Sequence, residues 1–281
     1  GLHFKGKAAR LASENGDSTV HREEKIFFDT EDFFQVPSLY YDDQLKRLWI
    51  GTGSAGLFYY DIIRKSLSDI PIRNFPKQPI LAIRKDAKNT LLIGIDGQGI
   101  WNISEKGDTI LHIYKEDLNN PFSLRGDGVY DILCDGSKNW IATFTGKLSF
   151  FENNNSQITP VTYQINNPNS LGNNYVNQII EDHEGHIWFA TNNGVSRWDA
   201  ASNKWKHYYQ NKSEQAKVFL SLCEDNQGHI WAGSYSSGIY LLDRETGKTL
   251  KHYSSKTNTP GFTGDFIFDF FVDKEGDVWI G

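Results

Sequence analysis

One residue position recurs through this chain at nearly constant spacing, and this repeat constrains the fold more than any other feature. In chain order the position is filled by Trp49, Leu92, Trp140, Trp188, Trp231 and Trp279. The intervals are 43, 48, 48, 43 and 48 residues. Internal repeats of this length are typical of solenoids and propellers. The sequence therefore predicts one structural unit that is used again and again.

Each unit consists of short apolar runs joined by tight turns, and residues 179–199 show this most clearly. A first run ends at Asp182, an Asp-x-x-Gly turn follows, and a second run contains Trp188. Asp favours such turns because it can hydrogen-bond the backbone two residues on, and Gly because it accepts positive φ. A third run follows, and a fourth closes most units, as at 249–253. Four strands per repeat predict an all-β fold, a β-propeller of four-stranded antiparallel blades.

The two ends of the chain bear on the number of blades. Residues 1–4 resemble the start of a third strand, and residues 279–281 resemble the end of a second strand. We therefore expect one β-propeller domain over residues 1–281, with about six repeats: five complete blades and a half-blade at each terminus. The two halves could close a six-bladed ring, or the chain could be a fragment of a larger or double propeller. The polar stretch 9–24 predicts a loop.

Composition and charge exclude several classes of function. The net charge is −6 and no run of Lys or Arg forms a stripe, so we expect this segment to make no nucleic acid contact. No apolar run approaches the ~18 residues of a membrane span. The first residues do not have the pattern of a signal peptide. We therefore expect the chain to be a piece of something longer.

Cysteine and methionine usage leads to two further expectations. Cys134 and Cys223 fall in equivalent runs of different repeats, so we do not expect a disulfide. The chain contains no methionine, and Asp135 precedes Trp140 by five positions, whereas the corresponding distance is six in four other repeats. We hypothesise that a methionine belongs between Asn139 and Trp140.

The residues that most often perform chemistry are distributed as structural residues would be. His186 and His229 share one turn position in two repeats, and His112, His207 and His252 share an outer-strand position in three. Ligands of one metal must converge within about 2.1 Å of it, which positions spread over separate repeats do not do. The sequence also lacks a nucleophile elbow, a phosphate-binding loop and a zinc-protease helix. We therefore predict no catalytic residue, no metal site and no cofactor.

Two sets of loops vary between the repeats and are the best candidates for ligand binding. One set precedes the first strand of a unit, and the other joins the second strand to the third. In a four-stranded meander both sets emerge at the same end, and function on a repeat scaffold usually lies on such loops. Their polar side chains offer directional hydrogen bonds, although the same residue types are also good turn formers. The candidate ligand-binding residues are Arg125, Asp127, Asn173, Asn174, Asp96, Gln98, Asn192, Tyr235 and Asp265.

Two segments carry a resemblance to a known family. They read VNQIIEDHEGHIWFATNNGV from Val176 and FLSLCEDNQGHIWAGS from Phe219, and they resemble the two-component-regulator propeller repeat. The segments NNPFSL from Asn119 and NNPNSL from Asn166 strengthen the resemblance, because a Ser-Leu before the first strand is typical of periplasmic sensor regions of Bacteroidetes hybrid two-component systems. The chain departs from the family repeat at Leu92, which stands in place of Trp, and at Gly146-Lys147-Leu148, which stands in place of the Gly-Leu turn.

The resemblance implies a role rather than a set of binding residues. Such sensors belong to inner-membrane proteins with a histidine kinase and a response regulator, and they detect glycan-derived oligosaccharides and control polysaccharide-utilisation genes. It implies a periplasmic segment that is not itself an enzyme. The expected partners are an oligosaccharide, a second receptor copy in a homodimer, and a neighbouring propeller or β-sandwich of the same chain. The alternatives are a propeller lyase or hydrolase, and a non-catalytic scaffold or dimerisation propeller.

Overall fold

The computed structural model describes residues 9–11, 35–210, 217–256 and 264–281, and every regular element in these ranges is a β-strand. Residues 1–4, which the sequence predicts as the start of a strand, lie outside the described residues. The described residues form two compact units. One contains residues 35–162 and 174–176, and the other contains residues 9–11, 163–173 and the described residues from 177 onward.

Five sheets have four strands each, in chain order. Blade 1 consists of β2 (Ser38–Asp42), β3 (Arg47–Gly51), β4 (Leu57–Asp61) and β5 (Ser66–Asp69). Blade 2 consists of β6 (Ile80–Lys85), β7 (Leu91–Ile95), β8 (Gly99–Ile103) and β9 (Ile110–Tyr114). Blade 3 consists of β10 (Val129–Cys134), β11 (Lys138–Thr143), β12 (Lys147–Glu152) and β13 (Thr159–Val161). Blade 4 consists of β14 (Val176–Glu181), β15 (His186–Thr191), β16 (Gly194–Asp199) and β17 (Lys204–Tyr208). Blade 5 consists of β18 (Phe219–Glu224), β19 (Ile230–Ser234), β20 (Ile239–Leu242) and β21 (Thr249–Tyr253).

A sixth sheet contains three strands, in the order β1 (Ala9–Leu11), β23 (Val278–Ile280) and β22 (Phe270–Val272). Strand β1 pairs antiparallel with β23, so Ala9 lies opposite Ile280. The prediction of a loop over residues 9–24 is therefore wrong at residues 9–11, because β23 offers that segment a free edge to pair with; residues 12–24 lie outside the described part of the chain. The fold class, an all-β propeller with four-stranded antiparallel blades, is confirmed. A single domain over residues 1–281 stays a prediction.

The recurring tryptophan packs between a blade and the next one in the chain, as its apolar ring requires. Trp49 of blade 1 is fully buried in a cluster that includes Ile80 and Ile83 of blade 2. Trp188 of blade 4 is buried in the same way with Phe219 and Leu222 of blade 5. Burial of one large aromatic ring removes about 150–250 Å² from water. The sequence repeat is thus a packing repeat.

The turn aspartate of four units also holds the tryptophan in place. Asp182 Oδ1 accepts hydrogen bonds from the backbone N–H groups of Glu184 and His186, while Oδ2 accepts from Trp188 Nε1 at 2.8 Å. Burial raises the pKa of Asp182, but the hydrogen bonds from Trp188 and His186 outweigh it and hold the pKa below its ordinary value. The same bond joins three more pairs, Asp135 with Trp140, Asp225 with Trp231 and Asp273 with Trp279. In these four units the bond therefore couples the turn to the core.

Blade 1 departs from this arrangement. Asp42 Oδ1 still accepts from the backbone of its turn, but Oδ2 binds the Nζ atom of Lys85 at 3.0 Å. The Nε1 atom of Trp49 is buried and has no hydrogen-bond partner. An unpaired buried donor costs stability, because it has lost its hydrogen bond to water.

The repeat that contains Trp140 has one residue fewer between its turn aspartate and its tryptophan. Its strand pairing is kept, and its turn is one residue shorter. The N–H of Asp135 donates to the carbonyl oxygen of Lys138, whereas the N–H of Asp182 donates to that of His186 one position further on. Asn139 then lies in the buried position that Ile187 occupies in blade 4, with 1% of its surface exposed. Its Oδ1 atom has no hydrogen-bond partner. The hypothesis of a methionine between Asn139 and Trp140 stays a prediction.

The NNPxSL segments close a compact loop before the first strand of a blade. Ser123 Oγ accepts a hydrogen bond from the backbone N–H of Asp117 and donates one to the carbonyl oxygen of Asp117. The side chain of Leu124 is fully buried. Before blade 4, Ser170 Oγ accepts the equivalent bond from the backbone N–H of Gln164 but donates to the carbonyl oxygen of Asn167, and Leu171 is likewise fully buried. Both residues of the Ser-Leu pair thus have structural roles.

The two cysteines are free thiols, which confirms that they form no disulfide. Burial raises the pKa of the Cys134 thiol to about 12, and it raises the pKa of Cys223 as well. Since the thiolate is the reactive form, both side chains behave as small apolar residues of the core.

Candidate ligand-binding site

A pocket of about 480 Å³ lies at the loop end of blade 3, within the first compact unit. It collects residues before β10, between β11 and β12, after β13, and just before β14, so it draws on both of the loop sets that the sequence singles out. Its volume falls in the range of about 300–1,000 Å³ that is typical of small-ligand sites. The pocket is lined by Arg125, Thr145, Gly146, Lys147, Pro160, Thr162, Asn174 and Tyr175.

Arg125 is held firmly in this pocket by its backbone and by its side chain. Its carbonyl oxygen accepts hydrogen bonds from the hydroxyl groups of Thr143 at 3.1 Å and Thr145 at 2.9 Å. Its Nη2 atom donates to the carbonyl oxygen of Pro121 at 2.6 Å. The next residue, Gly126, has a φ of +121°, and a Cβ there would lie 2.5 Å from Thr145 Oγ1. Only glycine allows the loop to approach the threonine so closely.

Tyr175 forms the aromatic wall of the pocket. Its ring lies against Gly146, where an added Cβ would stand 2.8 Å from two ring carbons. Gly146 has a φ of +71°, so it provides both the turn and the space for the ring. The side chain of Tyr175 remains 52% exposed. An exposed ring with a polar hydroxyl is well suited to contact one face of an amphipathic ligand.

Lys147 marks the point at which blade 3 departs from the repeat. The equivalent position in three other blades holds Gly99, Gly194 or Gly238, where a Cβ would collide with a carbonyl oxygen of the outer strand. In blade 3 the glycine comes one position earlier, and Lys147 carries a side chain that is 46% exposed beside the pocket. Its Nζ atom lies 3.9 Å from Glu116 Oε1.

The structure brings together two of the nine candidate binding residues, Arg125 and Asn174, in this pocket. Three others of the same compact unit make structural contacts. Asp127 Oδ1 accepts from the backbone N–H of Glu116 at 2.7 Å, and Gln98 Oε1 accepts from Lys115 Nζ at 3.2 Å. Asp96 is exposed, and its N–H donates to the carbonyl oxygen of Pro79. Whether any of the nine binds a ligand stays a prediction.

The other four candidates belong to the second compact unit. Asp265 repeats the role of Asp127, because it accepts from the backbone and the hydroxyl of Ser255, and these bonds lower its pKa. Asn192 Oδ1 accepts from Asn177 Nδ2 at 3.0 Å. Tyr235 packs edge-on against the ring of Phe266, at a centroid distance of 5.2 Å. Asn173 is half-buried near the start of blade 4.

The histidines that share turn positions bind their own turns. His186 Nδ1 lies 3.0 Å from Asp182 Oδ2, and His229 Nδ1 lies 3.3 Å from Asp225 Oδ2. Within residues 9–11, 35–210, 217–256 and 264–281, no three His, Cys, Asp or Glu side chains are grouped as metal ligands would be. The same ranges contain no helix long and apolar enough to cross a membrane.

The comparison with protein families identifies the repeat. The family described as two-component regulator propeller matches residues 170–193 and 213–236. These two segments carry the two-component-regulator propeller repeat. The first match begins at Ser170, the serine of the NNPNSL segment, and both matches contain the turn aspartate and the recurring tryptophan, so the residues that define the repeat are the ones that build its turns and core. The comparison with curated proteins gives no match.

Solved structures share the fold. One is the extracellular domain of BT3049 from B. thetaiotaomicron, described as a hybrid two-component system; it has 18% identity and a TM-score of 0.57, over 87% of this chain and 38% of that chain. Another is the computationally designed protein Ika8, with 13% identity and a TM-score of 0.58, over 87% of this chain and 70% of that one. The chain spans about two fifths of the length of the B. thetaiotaomicron domains that it matches.

Proposed function

We propose that this chain is the ligand-sensing propeller of a two-component receptor and that it binds a glycan-derived oligosaccharide. The observation that carries the proposal is the pocket at the loop end of blade 3, in a chain of which two segments match the two-component-regulator propeller repeat. The pocket lies on the variable loops and not on the repeated core, which is where a repeat scaffold usually carries its function.

The chemistry of the pocket suits a sugar. Thr162 and Asn174 place a hydroxyl and an amide group around it, and these can both donate and accept hydrogen bonds. The hydroxyl of Thr145, which donates to Arg125, can still accept one. Tyr175 adds an aromatic face beside them. A pyranose ring presents hydroxyl groups at its rim and C–H groups on its faces, so it needs both kinds of contact at once.

The match to this repeat supports a wider role in the proposal. In the proposal the segment is periplasmic and non-catalytic, and it belongs to an inner-membrane hybrid histidine kinase that controls polysaccharide-utilisation genes. Its partners are a second copy of the receptor and a neighbouring propeller or β-sandwich of the same chain. Signalling then requires that the ligand bind two receptor arrangements with different affinity, because a ligand with equal affinity for both shifts nothing.

The test is calorimetry of this chain against a panel of neutral and acidic oligosaccharides, repeated after chelation. We expect saturable binding of one glycan that is insensitive to the chelator and gives no product. Tyr175→Ala should weaken binding by roughly tenfold or more, the loss of one good contact. Tyr41→Ala is the matched control, because Tyr41 is 47% exposed on β2 and is not part of the pocket.

Each contrary outcome has a distinct meaning. Binding that survives Tyr175→Ala unchanged would place the ligand site outside this pocket. Product formation would replace the sensor with a propeller lyase or hydrolase. If no oligosaccharide of the panel binds, the scaffold alternative remains.

A further inference from the structure

We infer that the saccharide bound by this pocket carries an acidic group, a carboxylate or a sulfate ester, which Arg125 and Lys147 recognise. The inference rests on the proposed function and adds the chemical class of the ligand. It comes from the charge of the pocket lining, which holds two cationic side chains and no carboxylate.

Arg125 is the stronger of the two recognition elements. Its guanidinium forms no ion pair with any described carboxylate, and its one hydrogen bond goes to the carbonyl oxygen of Pro121. A guanidinium has five N–H donors in a planar fork, so most of them remain available to a ligand. That fork matches the two oxygens of a carboxylate or sulfate, and such charge-assisted pairs are about twice as strong as neutral hydrogen bonds.

The arginine is also positioned before any ligand arrives. Thr143 and Thr145 fix its carbonyl oxygen, and Pro121 fixes its guanidinium. A side chain that is already ordered loses little conformational entropy on binding, and this is the general source of affinity through preorganisation. The anchoring contacts therefore order a residue that lines the pocket.

Lys147 contributes a second, weaker positive charge. Glu116 lies 3.9 Å from its ammonium group and shares that charge, whereas the pocket itself contains no acid. The contrast with the whole chain is informative, because the net charge is −6 and a generic surface would repel anions. Another pocket of the same compact unit, of about 410 Å³, is lined by Asp86 and Glu152 beside its basic groups. Of these two pockets, the one that contains Arg125 has cationic side chains and no carboxylate in its lining.

The experiment compares saccharides that differ only in charge. Calorimetry measures the binding of trigalacturonic acid against its fully methyl-esterified form, and of a sulfated against an unsulfated chondroitin tetrasaccharide. The first pair tests a carboxylate and the second a sulfate ester. We expect the more acidic member of at least one pair to bind roughly tenfold tighter than its partner. This preference should shrink as salt rises from about 50 mM to about 300 mM, because ions screen exposed charges.

Three variants assign the effect to the pocket. Arg125→Gln should remove the preference for the acidic saccharide, and Lys147→Gln should reduce it by a smaller factor. Arg64→Gln is the matched control, because Arg64 is an exposed arginine of blade 1 outside the pocket, and it should leave the preference unchanged. Thermal melting of each variant confirms that it folds; if Arg125→Gln does not fold, Lys147→Gln, at a half-exposed side chain, decides.

The two proposals fail in different ways. Equal or tighter binding of the less acidic member in both pairs would overturn the acidic class and leave the sensor function standing. An acidic preference that survives both pocket variants would place the anion elsewhere and overturn the inference. No binding of any saccharide in the neutral and acidic panel would overturn both.

Discussion

At the scale of single residues, the bond between the turn aspartate and the tryptophan gives a direct prediction. Trp188→Phe removes the Nε1–H group that donates to Asp182 Oδ2, and it leaves a buried carboxylate oxygen without that donor. We expect a loss of about 1.5–3 kcal/mol in the free energy of unfolding beyond the effect of the smaller ring, the usual worth of a hydrogen bond to a charged group. Urea denaturation measures it.

Trp49→Phe is the control for this loss. The ring of Trp49 is equally buried, but its Nε1 atom has no partner. The substitution therefore removes a similar volume and, at the same time, an unpaired donor. If both variants lose equal stability, the hydrogen bond contributes nothing and the tryptophan stabilises the fold through the packing of its ring alone.

The two thiols give a second prediction at this scale. Because burial raises the pKa of Cys134 to about 12, and raises that of Cys223 too, we expect almost no thiolate near neutral pH. An aromatic disulfide reagent that releases a yellow thiolate when it reacts with a thiol should label neither cysteine in the native protein and both in denaturant. Rapid labelling of one native cysteine would mean that its blade opens locally.

At the scale of the element, the short turn of blade 3 makes a testable claim about strand β11. Asn139 is buried where Ile187 lies in blade 4, and its Oδ1 atom lacks a partner. We expect Asn139→Leu to stabilise the protein by about 1 kcal/mol, because removal of the unsatisfied Oδ1 outweighs the loss of the hydrogen bond from Nδ2 to Asn153 Oδ1. Ile187→Asn, the reverse change in blade 4, should destabilise it by at least as much. Thermal and urea unfolding measure both variants.

A failure of Asn139→Leu to stabilise has its own explanation. If a methionine stood between Asn139 and Trp140, that residue would fill the buried position and Asn139 would move into the turn. The substitution would then gain nothing. Mass mapping of the peptide that contains Trp140 in the natural protein tests this directly, since one additional methionine residue changes the mass of the peptide.

The blades themselves could be predicted from the sequence, because turn chemistry and apolar spacing act within one unit. The Asp-x-x-Gly turns predict where β14 ends and β15 begins, and the recurring tryptophan predicts packing against the next blade. Strand β1 was missed, because the strand it pairs with, β23, lies at the far end of the chain. Pairing over such a distance leaves no local pattern in a three-residue strand.

The candidate site was predicted only in part. Loop position was enough to single out Arg125 and Asn174, but it also singled out Asp127, whose carboxylate already accepts a backbone hydrogen bond. Residue type alone does not distinguish a ligand-binding carboxylate from one that stabilises a loop. The useful signal was a departure from the repeat: Lys147 stands where other blades have glycine, and it lines the pocket. Tyr175 carried no such signal.

At the scale of the whole molecule, the turn aspartates connect stability to pH. Hydrogen bonds from tryptophan and from the backbone lower the pKa of Asp135, Asp182 and Asp273 despite the opposing effect of burial. A carboxyl group whose folded pKa lies below its unfolded value of about 3.9 contributes stability above that pH. The contribution is lost as the pH falls through the folded pKa. We therefore expect the melting temperature to fall steeply below about pH 4, as several blades lose this contribution together.

Protonation of His207 causes a separate loss of stability at higher pH. The two tryptophan variants distinguish this loss from the one that the turn aspartates cause. Burial lowers the pKa of His207, so its contribution declines as the pH falls below its unfolded value of about 6.5. Trp188→Phe removes one cause of the low pKa of Asp182. This variant should therefore lose less stability than the native chain between about pH 5 and about pH 3, which is about one unit either side of the carboxyl pKa. At neutral pH the variant is less stable than the native chain. Trp49→Phe should keep the native acid dependence, because its indole binds no carboxylate. If all three proteins show the same slope, the acid sensitivity comes from carboxylates outside the repeated Asp–Trp pairs.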